Sequence, residues 1–282
     1  MKLTRPNAQL FIPDGVDEEK ALRLTTHMAV AAHQDDIEIM AIDGILKCFG
    51  QTDRWFSGVT VTDGAGSPRD KLYKDFSDEQ MRLVRVTEQK KAAMLGGYAA
   101  QALLDFPSAM VKNAADKGPV EDIMSLLKAA QPEVVYTHNL ADKHLTHIAV
   151  ALRTIEAIRK LPEVKRPKKL YGCEVWRDLG WMNDEEKVVF DTSAQENLQL
   201  ALLGVYDSQI SGGKRYDLAT MGRRRANATY FASHAVDELS GMATGMDLTP
   251  LIEDPSRDIQ EYLQGFIQRF AEEVEKLVSG VS

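Results

Sequence analysis

Cysteine is scarce in this chain. The 282 residues include two, Cys48 and Cys173, in separate apolar segments. Isolated thiols of this kind offer neither a disulfide framework nor a thiolate metal site, and they point to reduced core residues in a cytoplasmic protein. No apolar run approaches the ~20 residues of a membrane span, and Met1 to Asp14 lacks the apolar stretch of a secretion signal. Positive charge is also in deficit. Lys and Arg number 34 against 42 Asp and Glu, a net charge of −8, which argues against a general binder of nucleic acid or acidic membranes. No Walker pattern occurs, and no Gly-x-Gly-x-x-Gly leads from a strand into a helix, so no nucleotide cradle is expected. Internal repeats, low-complexity tracts and an obvious linker are missing too, so a single domain over residues 1–282 is expected. What remains is ordinary globular composition, 44% hydrophobic and 27% charged, with material for a large core.

The apolar segments alternate in type. Thr26 to His33 reads as a buried strand that runs into a helical pattern ending near Phe49. Trp55 to Thr62 is the next strand, Asp78 to Gly96 a helix, Ala102 to Phe106 a strand, and Pro119 to Ala130 a helix opened by its proline. Pro132 to Thr137 is a strand, Lys143 to Lys160 a helix with Asp142 as its natural cap, and Tyr171 to Trp176 a further strand. This is the pattern of an α/β, Rossmann-like fold with a mostly parallel sheet and helices on both faces. The core is expected over about residues 26–210, with a C-terminal elaboration over about 211–282. In that elaboration Arg223, Arg224 and Arg225 stand among aromatics. They read first as a solvated face, and second as a site for an anionic substrate group or a neighbouring subunit. Pro255 to Val278 reads as an amphipathic helix for core packing or subunit contact, which leaves a homo-oligomer open.

Residues with chemistry to offer gather at two strand ends. His33, Asp35 and Asp36 fall in the turn after the first strand. His138, His144 and His147, half of the chain's six histidines, fall in ten residues after a later one. Ligands of open α/β sheets bind beyond the carboxyl ends of strands, so two such clusters line one crevice if their strands are neighbours at a switch in strand order. Imidazole and carboxylate suit zinc. Isolated aspartates at a helix start would more simply cap it. The loop Thr62-Asp63-Gly64-Ala65-Gly66-Ser67-Pro68 lies at another strand's carboxyl end and reads as a lid, a substrate loop or a plain turn. Arg85 and Glu88 share a helix face and read first as a solvated pair worth well under 1 kcal/mol, second as a substrate-holding arginine at the cleft rim.

Ala32-His33-Gln34-Asp35-Asp36-Ile37-Glu38 resembles the Ala-His-Pro-Asp-Asp-x-Glu motif of the PIG-L/LmbE-like N-acetylglucosaminyl deacetylases, a family that includes the deacetylases of mycothiol and bacillithiol synthesis. Thr62-Asp63-Gly64, Arg85-x-x-Glu88 and His144-x-x-His147 follow in that family's order, over roughly residues 26–210. The resemblance implies a metal-dependent amidohydrolase that removes an N-acetyl group from an N-acetylglucosamine-type sugar or conjugate. It implies one Zn2+ per chain, or another divalent metal, on His33, Asp36 and His147. Asp35 would be the general base, and His144 would hold the oxyanion or protonate the leaving amine. Arg85, with Asp63 and His138, is expected to face the substrate. Gln34 stands where the family has proline, and Thr146 where it commonly has aspartate. Two rivals remain from the residues alone: a phosphoester hydrolase with a second metal on His138 or Asp63, and a sugar-binding homologue without turnover. The expected partner is a small amino-sugar molecule, with no nucleic acid and no membrane.

Overall fold

The computed structural model describes residues 1–281. Its strands are β1 (Gln9–Phe11), β2 (Thr25–Ala31), β3 (Trp55–Thr62), β4 (Ala100–Phe106), β5 (Val134–His138), β6 (Lys169–Cys173), β7 (Lys187–Asp191) and β8 (Met242–Asp247). They form one eight-stranded sheet in the order β1-β4-β3-β2-β5-β6-β8-β7. The run from β4 to β6 is parallel, and β1, β7 and β8 pair antiparallel at the two sides. The chain moves from β2 outward through β3 and β4, then returns to place β5 on the other side of β2. The strand order therefore reverses between β2 and β5, where a crevice must open at the carboxyl ends.

Helices α1 (Glu18–Leu24), α2 (Asp36–Met40), α3 (Ile42–Cys48), α4 (Asp78–Leu95), α5 (Ser108–Lys112), α6 (Gly118–Ala130) and α7 (Leu145–Arg159) connect these strands. Helices α8 (Glu196–Gly204), α9 (Asp207–Ile210), α10 (Tyr216–Tyr230), α11 (Pro250–Glu253) and α12 (Ile259–Ser279) follow. Alternation along β2 divides the core between two faces. Met28 and Val30 pack with Val120, Ile123, Val150 and Ile155 of α6 and α7. Ala29 and Ala31 pack with Ile37, Ile42, Ile45 and Leu202 of α2, α3 and α8. Among the described residues, no helix is long and apolar enough to cross a membrane.

Three expectations change in detail. The helical pattern after β2 is broken at Ala41, giving α2 and α3 in place of one helix. Asp142 does not occupy the cap position of α7; His144 does. The antiparallel strands β1, β7 and β8 were not legible as strands. Each is short, and the glycine in Met-Ala-Thr-Gly-Met-Asp of β8 interrupts any clean alternation.

Candidate metal and catalytic site

The turn after β2 brings its side chains together through an unusual backbone. Asp35 has φ 96°, a region L-residues rarely adopt, so its carboxylate and that of Asp36 point to different neighbours. Asp36 opens α2 and turns inward: its Oδ2 accepts the His33 backbone N–H at 2.7 Å. The same oxygen lies 3.2 Å from His33 Nδ1 and 3.3 Å from His147 Nε2. The two ring nitrogens are 3.1 Å apart. Donors placed tetrahedrally around zinc, at about 2.0–2.1 Å, lie about 3.3 Å from one another. The three atoms thus converge at the spacing that a single small cation would set. Asp142 completes the support: its Oδ2 lies 3.4 Å from His147 Nδ1 and accepts the Trp176 backbone N–H at 3.1 Å. A carboxylate on the far nitrogen of a histidine fixes its tautomer and leaves the near nitrogen free for a metal. Sequence reading saw in Asp142 only a cap; its place shortly before His147 was the available signal.

Burial would raise the Asp36 carboxyl, but the imidazoles of His147, His33 and His138 outweigh it and hold it well below the usual range. His147 is raised, because Asp36 and Asp142 overcome the cost of burial. Asp35 goes the other way. Burial, helped by the charge of Asp36, pushes it up to about 7 against the opposing guanidinium of Arg85. His144 is pulled down to about 4 by burial and by the imidazoles of His147 and His33. It is therefore neutral at neutral pH. Its Nδ1 is buried without a partner, and no carboxylate stands at Thr146 to charge it.

Arg85 is neither solvated nor at the rim. It is 1% exposed and reaches Asp35 Oδ2 at 3.2 Å, Glu88 Oε2 at 3.5 Å and the carbonyl oxygen of Gln34. Glu88 in turn accepts the backbone N–H and hydroxyl of Ser208, both at 2.7 Å. Gln34 donates from Nε2 to the Thr62 carbonyl at 3.1 Å, tying the turn after β2 to the end of β3. Side-chain tethering therefore does here what a proline ring would do by its own stiffness. A Cβ on Gly64 (φ 70°) would collide with the Gln34 side chain, so this glycine is required twice over.

A cavity of about 310 Å³ opens on the cluster, lined by His33, Asp35, Asp36, Asp63, Arg85 and His144 among others. Thr62, Gly64, Gly66, Ser67 and Pro68 form one of its walls, the position of a substrate loop. Asp63 is half-buried and its Oδ1 accepts the Ala65 N–H at 3.0 Å. His138 is placed differently from expectation. It is wholly buried behind His147, with ring centroids 3.9 Å apart, and it is outside the cavity lining. Its Nε2 accepts the Ala32 N–H at 2.9 Å. The same nitrogen lies 3.5 Å from Asp36 Oδ2, so His138 stands behind His147 in a group with Asp36 and His147, away from the cavity surface.

Residues 28–158 match the PIG-L family, described as GlcNAc-PI de-N-acetylase. No curated protein sequence matches the chain. Several solved structures share its fold. The 4-carboxy-2-hydroxymuconate hydratase GalB of Pseudomonas putida is 17% identical over 79% of this chain and 96% of its own, with TM-score 0.62. The N,N'-diacetylchitobiose deacetylase of Pyrococcus horikoshii is 15% identical over 87% and 92%, with TM-score 0.62. The A40926 pseudoaglycone deacetylase Dbv21 is 18% identical over 79% and 96%, with TM-score 0.56.

Proposed function

With residues 28–158 a PIG-L family domain, we propose that this protein is a metal-dependent N-deacetylase acting on an N-acetylated amino sugar or its conjugate. The observation that carries the reading is the convergence of His33 Nδ1, Asp36 Oδ2 and His147 Nε2 beside the cleft carboxylate of Asp35. Those three side chains would hold one divalent ion, zinc by the chemistry of the donor set. Zinc held there would polarise a water molecule and the acyl carbonyl.

The chain's own residues supply the remainder. Asp35, ionised, takes the proton of the attacking water as general base. Arg85 fixes that carboxylate and opposes the burial that raises it to about 7. His144 is neutral and lines the cleft, so it serves the developing oxyanion as an N–H donor better than it serves the amine as an acid. The proton collected by Asp35 is then the one returned to the leaving nitrogen. Cys48 and Cys173 are free and buried, which suits a reducing cytoplasm.

The test is release of primary amine from a panel of N-acetylglucosamine conjugates by zinc-loaded protein, with Asp35→Ala in parallel. Amine from wild type and a loss of at least about a hundredfold in the variant is the expected result. The P. putida neighbour is a hydratase, so hydration of an unsaturated acid with no amine from any conjugate would overturn the deacetylase reading in favour of water addition at the same site.

A further inference from the structure

A second cavity, of about 270 Å³, adjoins the metal cleft. Ile39, Val175, Trp176, Lys214 and Tyr216 line both, so they form a common neck. Beyond the neck the walls come largely from α10 and β8, outside the residues that match the family, with Met40 of α2 among them. The surface is mostly apolar, with Met40, Met242, Ala243, Trp176 and Tyr216 in its lining. Its charges are one-sided. Glu174 is the acid in the lining, and its oxygens are already engaged: Oε1 accepts the Leu179 N–H at 2.8 Å, and Oε2 accepts Asn227 Nδ2 at 3.1 Å and the Thr244 N–H at 3.3 Å. Among the cations of the lining, Arg215 is paired with Asp217 at 2.9 and 2.6 Å, and the other three have no such acid partner among the described residues. Lys214 lies over the Trp176 ring at 5.2 Å and has no acid partner among the described residues. Arg223 donates one N–H to the Val175 carbonyl at 2.6 Å and likewise has no acid partner among the described residues. Arg224, also in the lining, bonds neutral acceptors: Gln199 Oε1, Met221 Sδ and the carbonyls of Glu38 and Ile39. A half-dry pocket with unpaired cations and a satisfied acid selects an anion on an apolar body.

We propose that this chamber is a binding compartment for an aromatic or apolar group bearing an anionic substituent, with the anion meeting Lys214 and Arg223 and the body resting on Trp176. That the occupant is the distal part of the substrate rests on the deacetylase reading; the binding itself does not. The substrate would then be a conjugate whose N-acetyl end reaches the metal cleft while its anionic aglycone lies through the neck.

Calorimetric titration of the zinc-loaded protein with naphthalene-2-sulfonate, a poor metal ligand, tests this directly. Uncharged naphthalene-2-methanol and inorganic sulfate are the comparisons. One saturable site for the sulfonate is expected, at least about tenfold tighter than for the alcohol, with sulfate alone giving no heat. Ala219→Trp, which fills the chamber from α10, and Lys214→Glu, on the surface, should each weaken it by about tenfold or more. Equal binding to wild type and both variants, or preference for the alcohol, overturns the proposal. If the sulfonate behaves as expected while no conjugate yields amine, the compartment stands and the deacetylase reading fails.

Discussion

As the proposed general base, Asp35 must be ionised in a place that opposes ionisation. Burial raises it to about 7, and Arg85 at 3.2 Å is what opposes the rise. The sign follows: kcat/KM rises with pH along an acid limb at or below about 7. Arg85→Met should move that limb to higher pH, because burial and the charges of Asp36 and Glu38, which favour the protonated form, are then opposed less. It should also cost about 3–5 kcal/mol of stability by leaving Asp35 and Glu88 buried without their cation. A pH–rate profile beside a urea titration checks both, and an unmoved limb would leave Arg85 a purely structural role. Thr146→Asp asks the complementary question at His144. A carboxylate added there should lift the imidazole from about 4, visible as a shifted histidine titration by NMR. The gathering of His33, Asp35 and Asp36 at one strand end and of the histidines at another was legible in the sequence, and the proposed ligand roles came from the resemblance to the family motif. Arg85 was legible only as a helix pair, since nothing local says that α4 turns this face into the protein. Glu38 carried a signal that sequence reading left unused, a lone carboxylate among Ile37, Ile39 and Met40.

At the scale of elements, the short helices behind the site are fixed by polar groups from distant parts of the chain. Glu38 on α2 accepts Tyr98 Oη at 2.7 Å, Tyr206 Oη at 2.6 Å and Gln89 Nε2 at 3.0 Å. Burial outweighs those donors and raises its carboxyl to about 7 from 4.5. Its contribution to stability is therefore full below about pH 4.5 and is lost as pH rises through about 7. Glu38→Gln should flatten that part of the stability–pH curve, measured by denaturant midpoints at pH 5 and pH 8. Arg224 satisfies the Glu38 and Ile39 carbonyls freed by the break at Ala41, and burial draws its guanidinium down to about 9. On α3, Gly44 lies against β5: a Cβ there would stand 2.6 Å from the Tyr136 ring, which is tethered through its hydroxyl to Asp43 at 2.7 Å. Alanine gains about 1 kcal/mol in helix propensity. Overpacking against a tethered ring costs about 1–3 kcal/mol. Gly44→Ala should therefore lower the thermal midpoint; a rise would mean that the ring moves aside.

At the scale of the whole molecule, the parallel centre was readable because strands buried on both faces are continuous apolar runs joined by helices of clear period. The antiparallel margins were not, because their pairing is set by tertiary contact with β4 and β6 more than by local pattern. The reversal of strand order between β2 and β5 is the fact that joins the clusters. One comes from the turn after β2 and the other from the turn after β5, so an ion bound between them would tie the two halves of the sheet. A divalent metal at a thousandfold its Kd should then stabilise the fold by about 4 kcal/mol, and a chelator should lower the melting temperature.

The most direct test is metal content. Wild type, Asp36→Ala and His147→Ala would be loaded with zinc, exchanged into metal-free buffer and measured by elemental analysis. The account predicts one ion per chain in wild type and loss of it in both variants, with circular dichroism unchanged. Full zinc retained by Asp36→Ala would contradict it, and the His33–Asp36–His147 site would have to be abandoned.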